Sequence, residues 1–167
     1  GNGRTGRIIN ILFLVKQNLL GLPVLYLSRY INQHKSSYYS LLQTTRNTND
    51  WEEWLLFMLE AVEQTSQQTT VLIKQIRDLM QHHKIALRDK LPKIYSQDLI
   101  NNLFCHPYTK IDFVANELQV SRQTAARYLD EIVSIGLLSK HKIGKDNYYL
   151  NDDLFLLLSA VGQKNLA

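Results

Sequence analysis

From Trp51 onward, Trp54, Leu55, Met58, Leu59 and Val62, and then Val71, Leu72, Ile76, Leu79, Met80, Ile85 and Leu87, recur near helical spacing. The run ends at Leu91-Pro92, where proline can neither donate a backbone hydrogen bond nor continue a helix. One helix, or two in line, over 51–91 would be roughly 60 Å long at 1.5 Å rise per residue. The far half of such a rod cannot be buried against the first helices alone, so the rod is expected to link a bundle to a second unit. The expected fold class is mainly α, with domains at 1–91, including a linking helix over 51–91, and at 96–160. A chain of 167 residues that is 45% hydrophobic suffices for two small cores.

Ahead of the rod, Thr5 to about Leu20 carries apolar residues almost all round, the pattern of a buried central helix, and Gly21 ends it. Leu22-Pro23 restarts the chain with proline in a first helical turn, followed by Val24, Leu25, Leu27, Ser28 and Ile31 on a second helix. Ser36 or Ser37 is expected to cap a third helix containing Tyr38, Tyr39, Leu41 and Leu42. The polar run Thr44 to Asp50 reads as a loop ending in an N-cap aspartate.

Past Pro92 the punctuation becomes dense. Ser96 caps a short helix to Cys105, His106-Pro107-Tyr108 reads as a loop, and Thr109 is placed as the cap of a helix through Ile111, Val114, Ala115 and Leu118. After a turn at Gln119-Val120, Ser121 caps a further helix through Ala125, Ala126, Leu129, Ile132 and Val133 to Gly136, with alanines suited to close packing. Two short strands, 137–142 and 147–150, then flank Ile143-Gly144-Lys145-Asp146 as a hairpin, and a last helix starts at Asp152 and ends by Ala160. The arrangement resembles a small winged-helix domain with a two-stranded β hairpin.

The chemistry concentrates at the start. Gly1-Asn2-Gly3 allows a tight turn with positive φ, and a helix beginning on such a turn aims its free N–H groups at whatever lies in front. Arg4 and Arg7, three apart, share one face of the first turn, where two guanidinium groups and the helix dipole favour adjacent phosphates. A polyphosphate is the expected ligand, set against the plainer reading of an ordinary glycine turn before a helix.

Charge narrows the partners little: 19 Lys and Arg against 15 Asp and Glu give +4 and a pI near 9.1, compatible with nucleotide or nucleic acid. Cys105 is the single cysteine, which rules out an internal disulfide and points to a reducing, cytoplasmic compartment. His82, His83, Cys105 and His106 lack the spacing of a metal site, and adjacent histidines point to different helix faces. The longest apolar run, Ile8 to Val15 interrupted by Asn10, is too short to span a bilayer, so no membrane partner is expected.

Gly1-Asn2-Gly3-Arg4 with Arg7 two residues beyond Thr5-Gly6 resembles the second half of the Fic-domain signature HPFxxGNGRxxR, and the likeness continues through Ile8-Ile9-Asn10, Leu22 to Ile31, Tyr38-Tyr39 and Trp51-Glu52-Glu53-Trp54. The resemblance implies a partial Fic-type helical bundle in a protein adenylyltransferase, which moves AMP from ATP to a hydroxyl of a target protein. By that resemblance Gly1, Asn2 and Gly3 supply the anion hole for the α- and β-phosphates, Arg4 balances the outer phosphates, Arg7 supports the β-phosphate, and Tyr38 and Tyr39 line the adenine side. The family's catalytic histidine and its magnesium-holding acidic residue precede the glycine turn, so both are expected upstream of Gly1, in a longer natural protein, leaving this chain inactive alone. His106-Pro107-Tyr108 imitates the start of the signature, but Thr109-Lys110-Ile111-Asp112 follows in place of a glycine turn. The family's inhibitory string, [S/T]xxxE[G/N], is matched in spacing by Thr48 to Glu52, yet Glu53 stands where Gly or Asn belongs. An inhibitory glutamate for Arg4 is therefore expected upstream or in another chain.

The alternative reading is a regulator. Arg122, Gln123, Thr124, Arg127 and Tyr128 fall near the start of the third C-terminal helix, where residues meet base edges if that helix enters a major groove. Lys140, His141, Lys142 and Lys145 on the hairpin are placed to meet DNA phosphates. Asp130 and Glu131, later on the same helix, oppose that reading, and a winged helix also serves protein contacts or homodimer formation. Trp51 and Trp54 are expected in the core rather than as stacking platforms, and the neighbouring carboxylates Glu52 and Glu53 point apart and cannot share a proton.

Overall fold

The computed structural model describes residues 3–163, except for the side chains of Arg4 and of 161–163. The protein is mainly helical with a small three-stranded antiparallel sheet, and the described residues fall into two compact units that divide between Val71 and Leu72.

The first unit holds α1 (Gly3–Lys16), α2 (Leu27–Gln33), α3 (Lys35–Thr48) and the beginning of α4 (Glu52–Lys90). Leu25, Leu27, Tyr30, Phe57 and Ala61 form its buried centre, with Ile11, Leu14, Tyr38, Leu41, Met58 and Val62 packed around them. Several expectations change here. α1 packs Ile11 and Leu14 inward but leaves Ile8, Ile9, Leu12 and Phe13 exposed, so in the described residues it is not an enclosed central helix. Its terminator is Asn18 rather than Gly21. Asn18 takes a left-handed φ of 57°, and the amides of Asn18 and Leu19 reach back to the carbonyls of Val15 and Leu14, closing the last turn as a helix C-terminal motif does. Pro23 lies four residues ahead of α2 and does not open it. Leu25 and Leu27 are both buried, and a tight turn at Tyr26, in which the Leu27 amide donates to the Leu25 carbonyl at 3.2 Å, leads the chain into α2.

α3 follows α2 after the single residue His34, which gives no side-chain cap, so Ser36 and Ser37 lie inside the helix instead of starting it. Thr44 to Thr48 is helical, not a loop. The hydroxyls of Thr45 and Thr48 donate to carbonyls four residues back at 2.9 Å, which satisfies them within the helix. Asp50 behaves as expected, its carboxylate accepting the Glu52 amide at 3.0 Å as α4 begins. The polar stretch Glu63 to Thr70 stays inside one helix, supported by Gln64 to Glu60, Gln67 to Glu63 and Thr69 to the Thr65 carbonyl, all four apart.

The second unit continues with α5 (Gln97–Cys105), β1 (Tyr108–Lys110), α6 (Ile111–Leu118), α7 (Arg122–Ser134), β2 (Ser139–Ile143), β3 (Asp146–Leu150) and α8 (Asp152–Gln163). Ser96 and Ser121 cap α5 and α7 as expected, each hydroxyl accepting an amide three residues on at 3.1 Å. α7 closes at Gly136, whose φ of 78° suits a residue without a Cβ. The sheet has the order β1-β3-β2, with Tyr108 opposite Leu150 and Ser139 opposite Leu150 from the other side. The hairpin is therefore completed by a third strand where a loop was expected. Thr109 is buried in that strand and donates its hydroxyl to Asn102 Oδ1 at 2.7 Å, so it does not cap α6. Extended Lys110 stands at that helix start without a side-chain cap. Leu87, Leu99, Ile100, Leu103, Leu129, Ile132 and Tyr149 form the fully buried centre of this unit. No helix among the described residues is long and apolar enough to cross a membrane.

Candidate nucleotide-phosphate site and charged surfaces

α1 begins at Gly3, so Gly3 is already helical. Gly1 and Asn2, and the side chain of Arg4, lie outside the described residues. The first amides of a helix have no carbonyl of their own helix to bond, and the first turn of α1 carries no acidic side chain that would occupy them. Arg7 Nε donates to the Gly3 carbonyl at 3.1 Å, which folds this half-buried guanidinium back toward the helix start. A Cβ built on Gly3 or Gly6 would meet nothing within 4 Å among the described residues, so neither glycine is there to admit a close neighbour.

The tyrosine pair divides. Tyr38 packs in an aromatic cluster, 5.0 Å from Trp54 and 6.2 Å from Phe57 between ring centroids, while Tyr39 is exposed. Trp54 belongs to that cluster and Trp51 is exposed, so only one of the two tryptophans takes the packed role expected of both. Among the described hydrogen bonds and ring contacts, none joins Tyr38 or Tyr39 to Arg7.

On α7 and the hairpin the expected DNA contacts are largely occupied from within. Arg122 pairs with Asp112 of α6, and Arg127 pairs with Glu131 at 3.6 Å while lying over Tyr128. Thr124 belongs to the Ser121 cap, its hydroxyl 2.8 Å from Ser121 Oγ. Lys140 donates to Asp130 at 2.8 Å, and the Tyr149 hydroxyl donates to the same carboxylate at 3.0 Å. The Lys140 hydrogen bond, with the Tyr149 bond in support, holds Asp130 below the usual carboxylate range, and burial pushes Tyr149 up. Gln123, Lys142 and Lys145 are exposed, and neither lysine has a carboxylate partner among the described residues. The sequence could not reveal these pairs, because Asp112 and Asp130 reach their partners only once the helices and the sheet are assembled.

Of the four residues considered for a metal, His83 is fully buried, His82 lies edge-on beside it, and Cys105 is exposed. Among the described residues no group of three or more His, Cys, Asp or Glu could hold a metal ion.

Residues 79–154 match the family model described as "Protein adenylyltransferase SoFic-like, C-terminal domain". The similarity starts within α4, takes in every element from α5 to β3, and ends in the first turn of α8. It does not extend to Gly1–Arg7.

Proposed function

We propose that the chain is the C-terminal part of a Fic-type protein adenylyltransferase, acting on ATP and a hydroxyl of a target protein. The observation that carries this reading is the agreement of two separate stretches: the GNGRxxR string of Gly1 to Arg7, and the adenylyltransferase-type similarity over 79–154. Each points to the same enzyme class without using the other's residues. In the reaction the hydroxyl oxygen attacks the α-phosphorus while its proton passes to the histidine proposed upstream of Gly1, the bond to the bridging oxygen breaks, and pyrophosphate leaves. Negative charge builds on the phosphate oxygens, and the amides at the start of α1 together with Arg4 and Arg7 are suited to offset it. Arg7, its Nε bonded to the Gly3 carbonyl, keeps its guanidinium beside the first turn of α1. The acidic residue that would hold magnesium is proposed upstream of Gly1, in keeping with a first turn of α1 that has no acidic side chain.

Within this reading, 96–160 is a winged helix-turn-helix domain, an architecture supported by the order α5, β1, α6, α7, β2, β3, and it serves protein contact. A DNA role is disfavoured by charge. Lys110, Arg122, Arg127, Lys140, Lys142 and Lys145 are matched in number by Asp98, Asp112, Glu117, Asp130, Glu131 and Asp146, so 97–150 has no net positive charge to attract phosphate. The test is transfer of label from α-labelled ATP to protein by the full-length enzyme. Arg7→Ala should lower it by about 100-fold or more, as removal of a group that stabilises transition-state charge does, whereas Arg122→Ala should leave it unchanged. Full activity in Arg7→Ala would refute the phosphate role.

A further inference from the structure

Beyond Leu72 α4 is basic, although its first half is acidic. Between Leu72 and Ser96 the chain carries Lys74, Arg77, Lys84, Arg88, Lys90 and Lys93 against only Asp78 and Asp89. Lys74, Arg77, Lys84 and Arg88, with Gln81 among them, fall at separations of three, four and seven residues, within about 80° of arc on one helix face and along about 21 Å of its length. Three features separate this stripe from an ordinary solvated helix. Lys74 and Arg77 are like charges three apart, and Lys84 and Arg88 are like charges four apart, spacings that weaken a helix rather than support it. The helix dipole rewards cations only in the last turn, which explains Arg88 and Lys90 but not Lys74, Arg77 or Lys84. Lastly, Lys74, Lys84 and Arg88 have no carboxylate partner among the described residues, whereas four of the six cations of 97–150 do. Asp78 engages Arg77 at 3.0 Å but projects off the stripe.

Two of the cations are held in place. Lys84 Nζ donates to Gln97 Oε1 at 3.0 Å, and Gln97 in turn donates to Asn101 at 3.0 Å. Arg88 lies 4.6 Å from the centroid of the Tyr95 ring. Ile73 and Ile85, 54% and 49% exposed, border the stripe on opposite sides. We propose that this face of α4 is a docking surface for an acidic, amphipathic segment of a partner protein, whose carboxylates meet the stripe and whose apolar side chains cover Ile73 and Ile85.

The borders decide against nucleic acid, whose phosphates gain nothing from isoleucine and which is held by about 6–10 phosphate contacts in a typical site. They decide against a membrane surface as well. The opposite side of α4, at His83 and Leu87, is buried in the core and cannot supply the wide apolar face of an in-plane membrane helix. The inference does not depend on the adenylyltransferase reading, since it uses no residue of the phosphate site.

The experiment is fluorescence anisotropy of a labelled helical peptide alternating Glu and Leu at helical spacing, titrated with the whole chain at low and high salt. The expected result is salt-sensitive binding that falls by about tenfold or more in the Lys74→Glu, Lys84→Glu double variant. Binding should be unchanged in Lys142→Glu, Lys145→Glu and in Arg7→Ala. Lys74→Glu alone changes an exposed side chain, and Lys84→Gln keeps an amide able to bond Gln97; both should weaken binding with helicity intact by circular dichroism. An equal loss in the hairpin variant, indifference to salt, or no binding would overturn the proposal. Tighter binding of mixed-sequence duplex DNA or of phosphatidylserine vesicles than of the peptide at the same salt would overturn it too.

Discussion

His83 is fully buried on α4, its ring edge-on to Phe104 at 5.2 Å, and neither ring nitrogen has a partner among the described residues. An imidazole in that position is kept neutral. Burial lowers its pKa from 6.5 to about 4, the neighbouring His82 adds to the shift, and Asp153 opposes it. The unfolded chain takes up a proton before the folded one does, so this contribution to stability is complete above pH 6.5 and is lost as pH falls toward 4. The difference corresponds to about 3 kcal/mol at its full extent. Urea unfolding of His83→Leu should therefore show stability near that of the parent at pH 7 and a clear gain over it at pH 4. Parallel pH profiles for the two proteins would show that His83 does not control this dependence.

At the scale of single elements, short-range signals and real caps coincide where the polar side chain is followed by a turn that buries its apolar face. Ser121 fits that description and Ser37 does not. Ser121→Ala removes the bond from the Thr124 amide and should cost about 1 kcal/mol, while Ser37→Ala, exposed inside α3, should be neutral or slightly stabilising, both read from thermal melts. A comparable loss in both would mean that Ser37 has a role its position in α3 does not show. Thr109 illustrates the limit of such reading. A threonine before an apolar helix has the form of a cap, yet β1 draws it into the sheet, where pairing with Tyr149 and a bond to Asn102 outweigh the local preference.

At the scale of the whole molecule, the fully buried side chains Leu87, Leu99, Ile100, Leu103, Val114, Leu129, Ile132 and Tyr149 all lie beyond Leu72 and make one continuous core. A chain beginning at Leu72 should therefore fold by itself, with a cooperative far-ultraviolet melt; a broad, non-cooperative melt would show that residues before Leu72 are needed. Trp51 and Trp54 both precede Leu72, so tryptophan fluorescence reports on the first unit while circular dichroism reports on both. Charge is divided unevenly along α4 itself: Glu52, Glu53, Glu60 and Glu63 precede Leu72 while Lys74, Arg77, Lys84, Arg88 and Lys90 follow it, a polarity that the modest overall value of +4 conceals.

The sequence by itself determined what depends on neighbours a few residues apart: the mainly helical fold, the length of α4, the Ser96 and Ser121 caps, the turn at Gly144, and the glycine-arginine string that suggests a phosphate site. Tertiary structure alone decided the third strand, the burial of Leu25 and Leu27, the burial of His83, and the neutralisation of Arg122 and Lys140 by Asp112 and Asp130. The physical reason is distance along the chain. A cap or a helical stripe is fixed within one or two turns, whereas a strand pairing or an ion pair between elements exists only after the fold has brought together residues that the sequence keeps apart.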